Sequence, residues 1–167
     1  MAVETIEVST SNIINLPEFL SLTECTLDEY RKWIRRRAMA HVQRDRKRRN
    51  TVASVSSYKA AIHAAVLESN GNDAYTGEPL NWDLISKYTN DESKEGGRSY
   101  KKGFALLPTV DHVDDGLGEP NFVICSWRVN DAKNDLSFDE FVDVCRKVVA
   151  AVDRLATRLH SEKSGPQ

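Results

Sequence analysis

The sequence has no long apolar run: none exceeds five residues, the longest being Val148 to Val152. A transmembrane helix needs about 20 such residues, so none is expected. The first twenty residues carry no Lys or Arg and no extended apolar stretch, so no secretory signal is expected either. Cysteine is scarce. Cys25, Cys125 and Cys145 are too few and too scattered for a disulfide framework or a structural zinc site, and they read as packing residues in a reduced, cytoplasmic protein. Internal repeats and low-complexity tracts are absent. What remains is a globular composition of 167 residues, 40% hydrophobic and 29% charged, enough to bury roughly 70% of the unfolded surface.

The net charge of −2 conceals a strong asymmetry. Residues 31–50, RKWIRRRAMAHVQRDRKRRN, hold ten Lys or Arg against a single acid, Asp45. The remainder of the chain is correspondingly acidic. A run of charge is often no more than a solvated helix face, but a block this free of acids has the electrostatic footprint of a polyanion binder. Arg35, Arg36, Arg37, Arg44, Arg46 and Lys47 are the candidate phosphate contacts within it.

Local signals divide the chain into an arm over 1–25, a helical region over 26–72, a segment over 73–136, a closing helix over 137–160 and a tail over 161–167. The arm is extended and polar, with apolar anchors at Ile13, Ile14, Leu16, Phe19 and Leu20. Thr26 and Glu29 form a capping box, after which Tyr30, Trp33, Ile34, Ala38, His41 and Val42 recur at helical spacing. A second helix begins near Ser56 or Ser57, turns Tyr58, Ile62, Ala65 and Val66 inward and stops at Gly71. YTGEPLNW reads as a tight turn, and TNDESKEGGRSYKK as a polar loop that need not pack. Ser137 and Glu140 open the last helix. Its stripe of Phe138, Phe141, Val142, Cys145, Val148, Val152, Leu155 and Leu159 is expected to face the core. His41 and His63 sit on apolar stripes and read as core residues, and His160 as an exposed one.

Reactive side chains concentrate between Thr109 and Phe141. Asp111 and His112 are adjacent at the end of an expected strand, and strand neighbours point to opposite faces, so the two should do different work. One can ligate a metal while the other reaches a substrate. Asn121 opens the next strand, and a hairpin followed by a helix can return Asn130 to the neighbourhood of Asp111. Two oxygen ligands suit a hard cation such as magnesium, whose other positions are filled by water and phosphate oxygens.

The run LPTVDHVDDGLGEPNFVICSWRVNDAKNDLSFDEF resembles the ββα-metal, or His-Me finger, core of HNH endonucleases. That pattern is a DH pair, a loop, an Asn before an apolar strand, and an Asn or His in a short helix before a Lys. Asp111-His112, Asn121 and the stretch from Asn130 to Lys133 match it in order and type. The spacing from Asn121 to Asn130 is similar to that in the HNH domain of CRISPR effector nucleases. The resemblance covers about 35 residues firmly and extends weakly to YTGEPL. Residues 1–70 and the last helix have no counterpart in the minimal motif.

The resemblance implies an α+β protein: a helical N-terminal region, a ββα-metal core and a long C-terminal helix. His112 would be the general base, and Asp111 and Asn130 would hold one divalent ion, Mg²⁺ or Mn²⁺. Asn121 would pin the loop through its side chain, while Arg128 and Lys133 would stand beside the site as phosphate contacts. Many relatives carry paired cysteines that form a zinc knuckle. Here Tyr75 stands near the first pair's place and only Cys125 near the second, so no structural zinc is expected. The implied reaction is phosphodiester hydrolysis of DNA leaving a 5′ phosphate, with double-stranded DNA as the partner. A single site nicks one strand, so a double-strand cut calls for a homodimer or two successive events. An inactive nucleic-acid-binding module on the same scaffold, or an RNA-cleaving relative, are the alternatives.

Overall fold

The computed structural model describes residues 14–21 and 24–163, apart from the side chains at 90 and 159–163. Ile13 of the arm, the side chains of Leu159 in the last stripe and of His160, and the tail from residue 164 onward lie outside the described residues. The protein is of mixed α and β type: five α-helices and one two-stranded antiparallel sheet among those residues. No described helix is long and apolar enough to cross a membrane.

Helix α1 (Leu27–Lys47) starts at the expected capping box. The Thr26 amide donates to the Glu29 carboxylate at 2.9 Å, and the Glu29 amide donates to Thr26 Oγ1 at 3.3 Å. Asp28 and Glu29 occupy the first turn and Arg44, Arg46 and Lys47 the last, each sign where the helix dipole favours it. Tyr30, Trp33, Ile34, Ala38, His41 and Val42 are buried as the spacing predicts, and Asp45 is buried with them.

Helix α2 (Val55–Ser69) is capped by Ser54, whose Oγ accepts from the Ser57 amide, and ends at Asn70 in the left-handed conformation. It turns Tyr58, Ile62, Ala65 and Val66 inward and packs on α1 on one side and on the sheet on the other. A single 3₁₀ turn, Trp82–Ile85, sets Trp82 against Trp33, with ring centroids 5.6 Å apart.

Strands β1 (Pro108–His112) and β2 (Phe122–Ser126) pair so that His112 faces Phe122 at the loop end and Pro108 faces Ser126 at the other. Helix α4 (Trp127–Lys133) follows β2 without an intervening loop, tied by the Trp127 amide to the Leu107 carbonyl and by Arg128 to Ala105. The described residues form two compact units that divide between Asn130 and Asp131, within α4.

Two expectations are corrected. TNDESKEGGRSYKK is not a loop but largely helix α3 (Asn90–Gly103), interrupted at Gly97, whose φ of 52° is the break that the glycine pair signals. Asp91 and Glu92 at its start and Lys101 and Lys102 at its end suit the dipole. Tyr100 stacks on Phe104 at 4.5 Å, and Lys101 lies over the Trp127 ring.

The second correction concerns α5 (Phe138–Lys163), which opens at its Ser137–Glu140 capping box and extends three residues beyond the expected limit of 160. Its stripe is not core. Phe138, Cys145, Val148, Val152 and Leu155 are exposed, and only Phe141 and Val142 are half-buried. Helical periodicity identifies an apolar face but not what covers it.

Two apolar positions on α2 test where the core lies. Ile62 is fully buried and Leu67 is 51% exposed. Ile62→Ala should cost about 2–5 kcal/mol in denaturant unfolding, whereas Leu67→Ala should stay within about 0.5 kcal/mol. Equal costs would misplace the core.

Candidate active site

Strand alternation separates Asp111 from His112, and the two side chains find different partners. His112 turns toward α1 and α2. Its Nε2 lies 2.8 Å from Asp45 Oδ2, and its Nδ1 meets the Arg44 guanidinium. A carboxylate can only accept, so the Nε2 proton points at Asp45 and Nδ1 keeps the lone pair. The same guanidinium nitrogen of Arg44 donates to His41 Nδ1 at 2.8 Å. Phe122 and His41 flank the His112 ring, with centroids 4.8 and 4.9 Å away.

Asp45 is the lone acid of the basic block and has no solvent exposure. Its Oδ2 accepts from both His112 and the Tyr58 hydroxyl, the latter at 2.8 Å. Its Oδ1 accepts no hydrogen bond among the described residues and lies 3.6 Å from Arg44 Nε. Burial pushes this carboxyl upward. The bonds from Tyr58 and His112, with the charge of Arg44, outweigh burial and hold it below its ordinary range. Burial, then Asp45, raises the Tyr58 phenol, which stays a donor. Burial above all, with the charge of Arg44 next, lowers His41 to about 3 and leaves it a neutral acceptor.

The loop between the strands is closed over this group by Asn50, a residue that no local sequence pattern marks. Its amide nitrogen donates to the carbonyls of Gly116 and Gly118, both at 2.8 Å, and its oxygen accepts from the amides of Val52 and Ala53. A side chain at Gly116 would place Cβ 3.0 Å from His112 Nε2 and 3.1 Å from Asp45 Oδ1, and φ there is 72°. Only glycine fits the position. The loop-pinning role expected of the Asn121 side chain is thus carried by Asn50. Asn121 is exposed and contributes its carbonyl, which accepts from the Val113 amide.

On the opposite face, Asp111 is half-buried and its Oδ2 accepts from the Tyr75 hydroxyl at 2.6 Å. Tyr75 is placed by Asp73, a second buried acid that local sequence does not single out. Asp73 Oδ1 accepts from the Tyr75 and Thr76 amides, and Oδ2 accepts from the Ser126 amide at the end of β2. Burial and the neighbouring Asp111 raise the Tyr75 phenol, which keeps it protonated and donating. Asn130 is half-buried on α4.

Among the described residues no group of three or more His, Cys, Asp or Glu side chains could hold a metal ion. The oxygen donors of Asp111 and Asn130 are of the type that fits a largely hydrated hard cation, and the Tyr75 bond orients the carboxylate from behind.

Of the basic candidates, only Arg44 is brought to His112. Arg35, Arg36, Arg46 and Lys47 are exposed on the side of α1 turned away from His41 and Asp45, while Arg37 is half-buried. Arg36 donates to the Ile85 carbonyl and Arg46 twice to Ala53, so both also brace the fold. Arg128 is exposed, but Lys133, expected beside it as a phosphate contact, is buried. His63 is only half-buried, its Nδ1 2.8 Å from the Tyr30 hydroxyl. Cys25 and Cys125 are buried as packing residues should be, and Cys145 is exposed.

His41 gives the site a pH signature. Its pKa near 3 in the fold lies below the ordinary value of 6.5, so the unfolded chain binds the extra proton as pH falls through that interval. Stability should therefore be full above about pH 6.5 and decline below it, by at most about 1.4 kcal/mol per pH unit for one proton. His63 shifts in the same direction, through burial, and adds to the slope. His41→Gln keeps an acceptor for Arg44 and should flatten the slope between about pH 6.5 and 4 in denaturant titrations. An unaltered slope would mean that His41 is not buried neutral.

Comparison with family models, curated proteins and solved structures finds no match to this chain.

Proposed function

We propose that the chain is a metal-dependent HNH endonuclease that hydrolyses phosphodiester bonds of DNA, with β1, β2 and α4 as its ββα-metal core. The observation that carries this reading is the bond from His112 Nε2 to the buried Asp45 carboxylate. A histidine held in one tautomer by a buried acid, with its other nitrogen turned to a basic side chain at the surface, is arranged as a general base. His112 Nδ1 takes a proton from water as the water oxygen attacks phosphorus. The P–O3′ bond breaks, the departing 3′ oxygen takes a proton from solvent water to become a hydroxyl, and the phosphate stays on the 5′ end. Asp45 does not touch the reacting atoms. It is a positioning residue that fixes the imidazole and stabilises the imidazolium once formed.

Arg44 has a double part. Without substrate its guanidinium occupies Nδ1 and bridges to His41. A phosphodiester competes for that guanidinium, because charge-assisted bonds to phosphate oxygens are stronger than a bond to a neutral imidazole. Substrate then uncovers the base by drawing Arg44 to itself. Asp111 and Asn130 would hold a Mg²⁺ or Mn²⁺ ion, which when bound supplies positive charge for the phosphorane and the departing oxygen. Arg128, two residues before Asn130, would contact phosphate, while Asn50 holds the middle of the intervening loop and the Asn121 carbonyl its end.

A supercoiled-plasmid assay with magnesium, manganese or chelator tests the reading. Wild type should nick in the presence of metal, and His112→Ala should abolish nicking while leaving DNA binding intact. Asp45→Asn should lower kcat by about 10²-fold or more with little change in KM, as loss of a tautomer-fixing carboxylate does. Salt-sensitive binding without cleavage under any metal would favour an inactive module or an RNA substrate.

The exposed face of α1 is the proposed source of affinity. Replacing Arg35 and Lys47 by Ala should weaken DNA binding and reduce the slope of log K against log salt by about one for each phosphate no longer neutralised. An unchanged slope would remove this face from the interface.

A further inference from the structure

We propose that a recess between α1, the 3₁₀ turn and the residue before β1 is a binding site for a phosphate monoester or free phosphate, with Arg37 as its anchor. The cavity measures about 180 Å³ and is lined by Trp33, Arg36, Arg37, Ile85, Tyr88 and Leu107. A water takes about 30 Å³ in the liquid, so a phosphate group has room to enter. Every polar side chain in that lining can donate a hydrogen bond, and none is an acid. Arg36 gives one bond to the Ile85 carbonyl at 3.0 Å and keeps its other donors. The Arg37 guanidinium donates no hydrogen bond and forms no ion pair among the described residues. Trp33 is 1% exposed, and its Nε1–H has no acceptor among them either. The Tyr88 ring is held by Phe104, Trp127 and Tyr100, with centroids 5.5, 5.8 and 6.0 Å away.

Charges withdrawn from water are ordinarily paired, and Arg37 departs from that rule. Burial, then the charge of Arg36, works against its cation, and among the described residues no carboxylate offsets them. An oxyanion in the recess supplies the counter-charge that two guanidinium groups lack, and acceptor oxygens for donors that have none. Shape and charge narrow the class. A backbone diester carries a sugar on both sides of phosphorus and meets a protein along its surface. A monoester presents three free oxygens at one end and can enter a recess, and its charge of about −1.5 to −2 at pH 7 suits two guanidinium groups better than the single charge of a diester. The site thus goes beyond the exposed contacts at Arg35 and Lys47, which meet a diester backbone under the proposed function. It stands whether or not the chain cleaves DNA; if it does, the 5′ phosphate left by cleavage is a ligand of this class.

Isothermal titration calorimetry of the full chain with inorganic phosphate, at constant ionic strength and without metal, provides the test. Wild type should bind one phosphate with a Kd of about 1 mM or tighter, and dimethyl phosphate, a diester, at least about tenfold more weakly. Arg37→Met should weaken phosphate binding by at least about tenfold with an unchanged far-ultraviolet circular dichroism spectrum. Arg35→Ala, on the exposed face outside the recess, should bind phosphate as wild type does. A thymidine trinucleotide with a 5′ phosphate or a 5′ hydroxyl separates the sources of the ligand. Tighter binding of the phosphorylated form, lost in Arg37→Met, assigns the site to a nucleic-acid end, and equal binding of the two forms assigns it to free phosphate. Wild type without saturable phosphate binding below about 10 mM would overturn the proposal. Dimethyl phosphate binding as tightly as phosphate would overturn it too, as would binding indifferent to Arg37→Met.

Discussion

A carboxylate taken wholly out of water survives only if donors replace its hydration, and Asp45 obtains two of them from distant parts of the chain. Tyr58 comes from α2 and His112 from β1. The bonds to this one group fix α1 against α2 and against the sheet, and in doing so fix the rotation of the His112 ring. Gly116 closes over the pair at a distance that tolerates no side chain, and Asn50 holds that closure from the end of the basic block. The neutral His41 completes the enclosure, since a charged ring there would add a second cation beside Arg44.

The local rules that the sequence displays are obeyed where the interactions are short-range. Both capping boxes form, and the buried faces of α1 and α2 are those the spacing predicts. Asp111 and His112 diverge as strand neighbours must. Asp45 is hidden by its context. Among ten basic residues an acid reads as a surface ion-pair partner, and nothing local says that it turns inward, although its step of three and four residues from Val42 and His41 continues the buried stripe. Asn50 and Asp73 act through bonds to residues more than fifty positions away, which no window of sequence contains.

The two elements that depart from expectation do so for a different reason. In α3 the glycine pair masks the dipole-matched charges and the aromatic ring at Tyr100, yet one glycine breaks the helix without abolishing it. In α5 the helical period holds but does not mark a core, because an apolar stripe serves a core or a partner equally well. The basic block likewise mixes roles. Arg36 and Arg46 commit hydrogen bonds to carbonyls, Arg37 is half-buried, and Arg44 serves the histidines, so a count of charges overstates the free positive surface.

The bridge from Arg44 to two imidazoles makes the resting protein, under the proposed chemistry, its own competitive inhibitor. A base left open to solvent would be ready to activate water whether or not an ester bond was present. Here the occupant of that nitrogen is a cation whose preferred partner is the very anion to be cleaved, so the same encounter that delivers substrate removes the block. Under that proposal an uncharged ester carries no such key, and a preference for anionic esters would follow from the availability of the base itself.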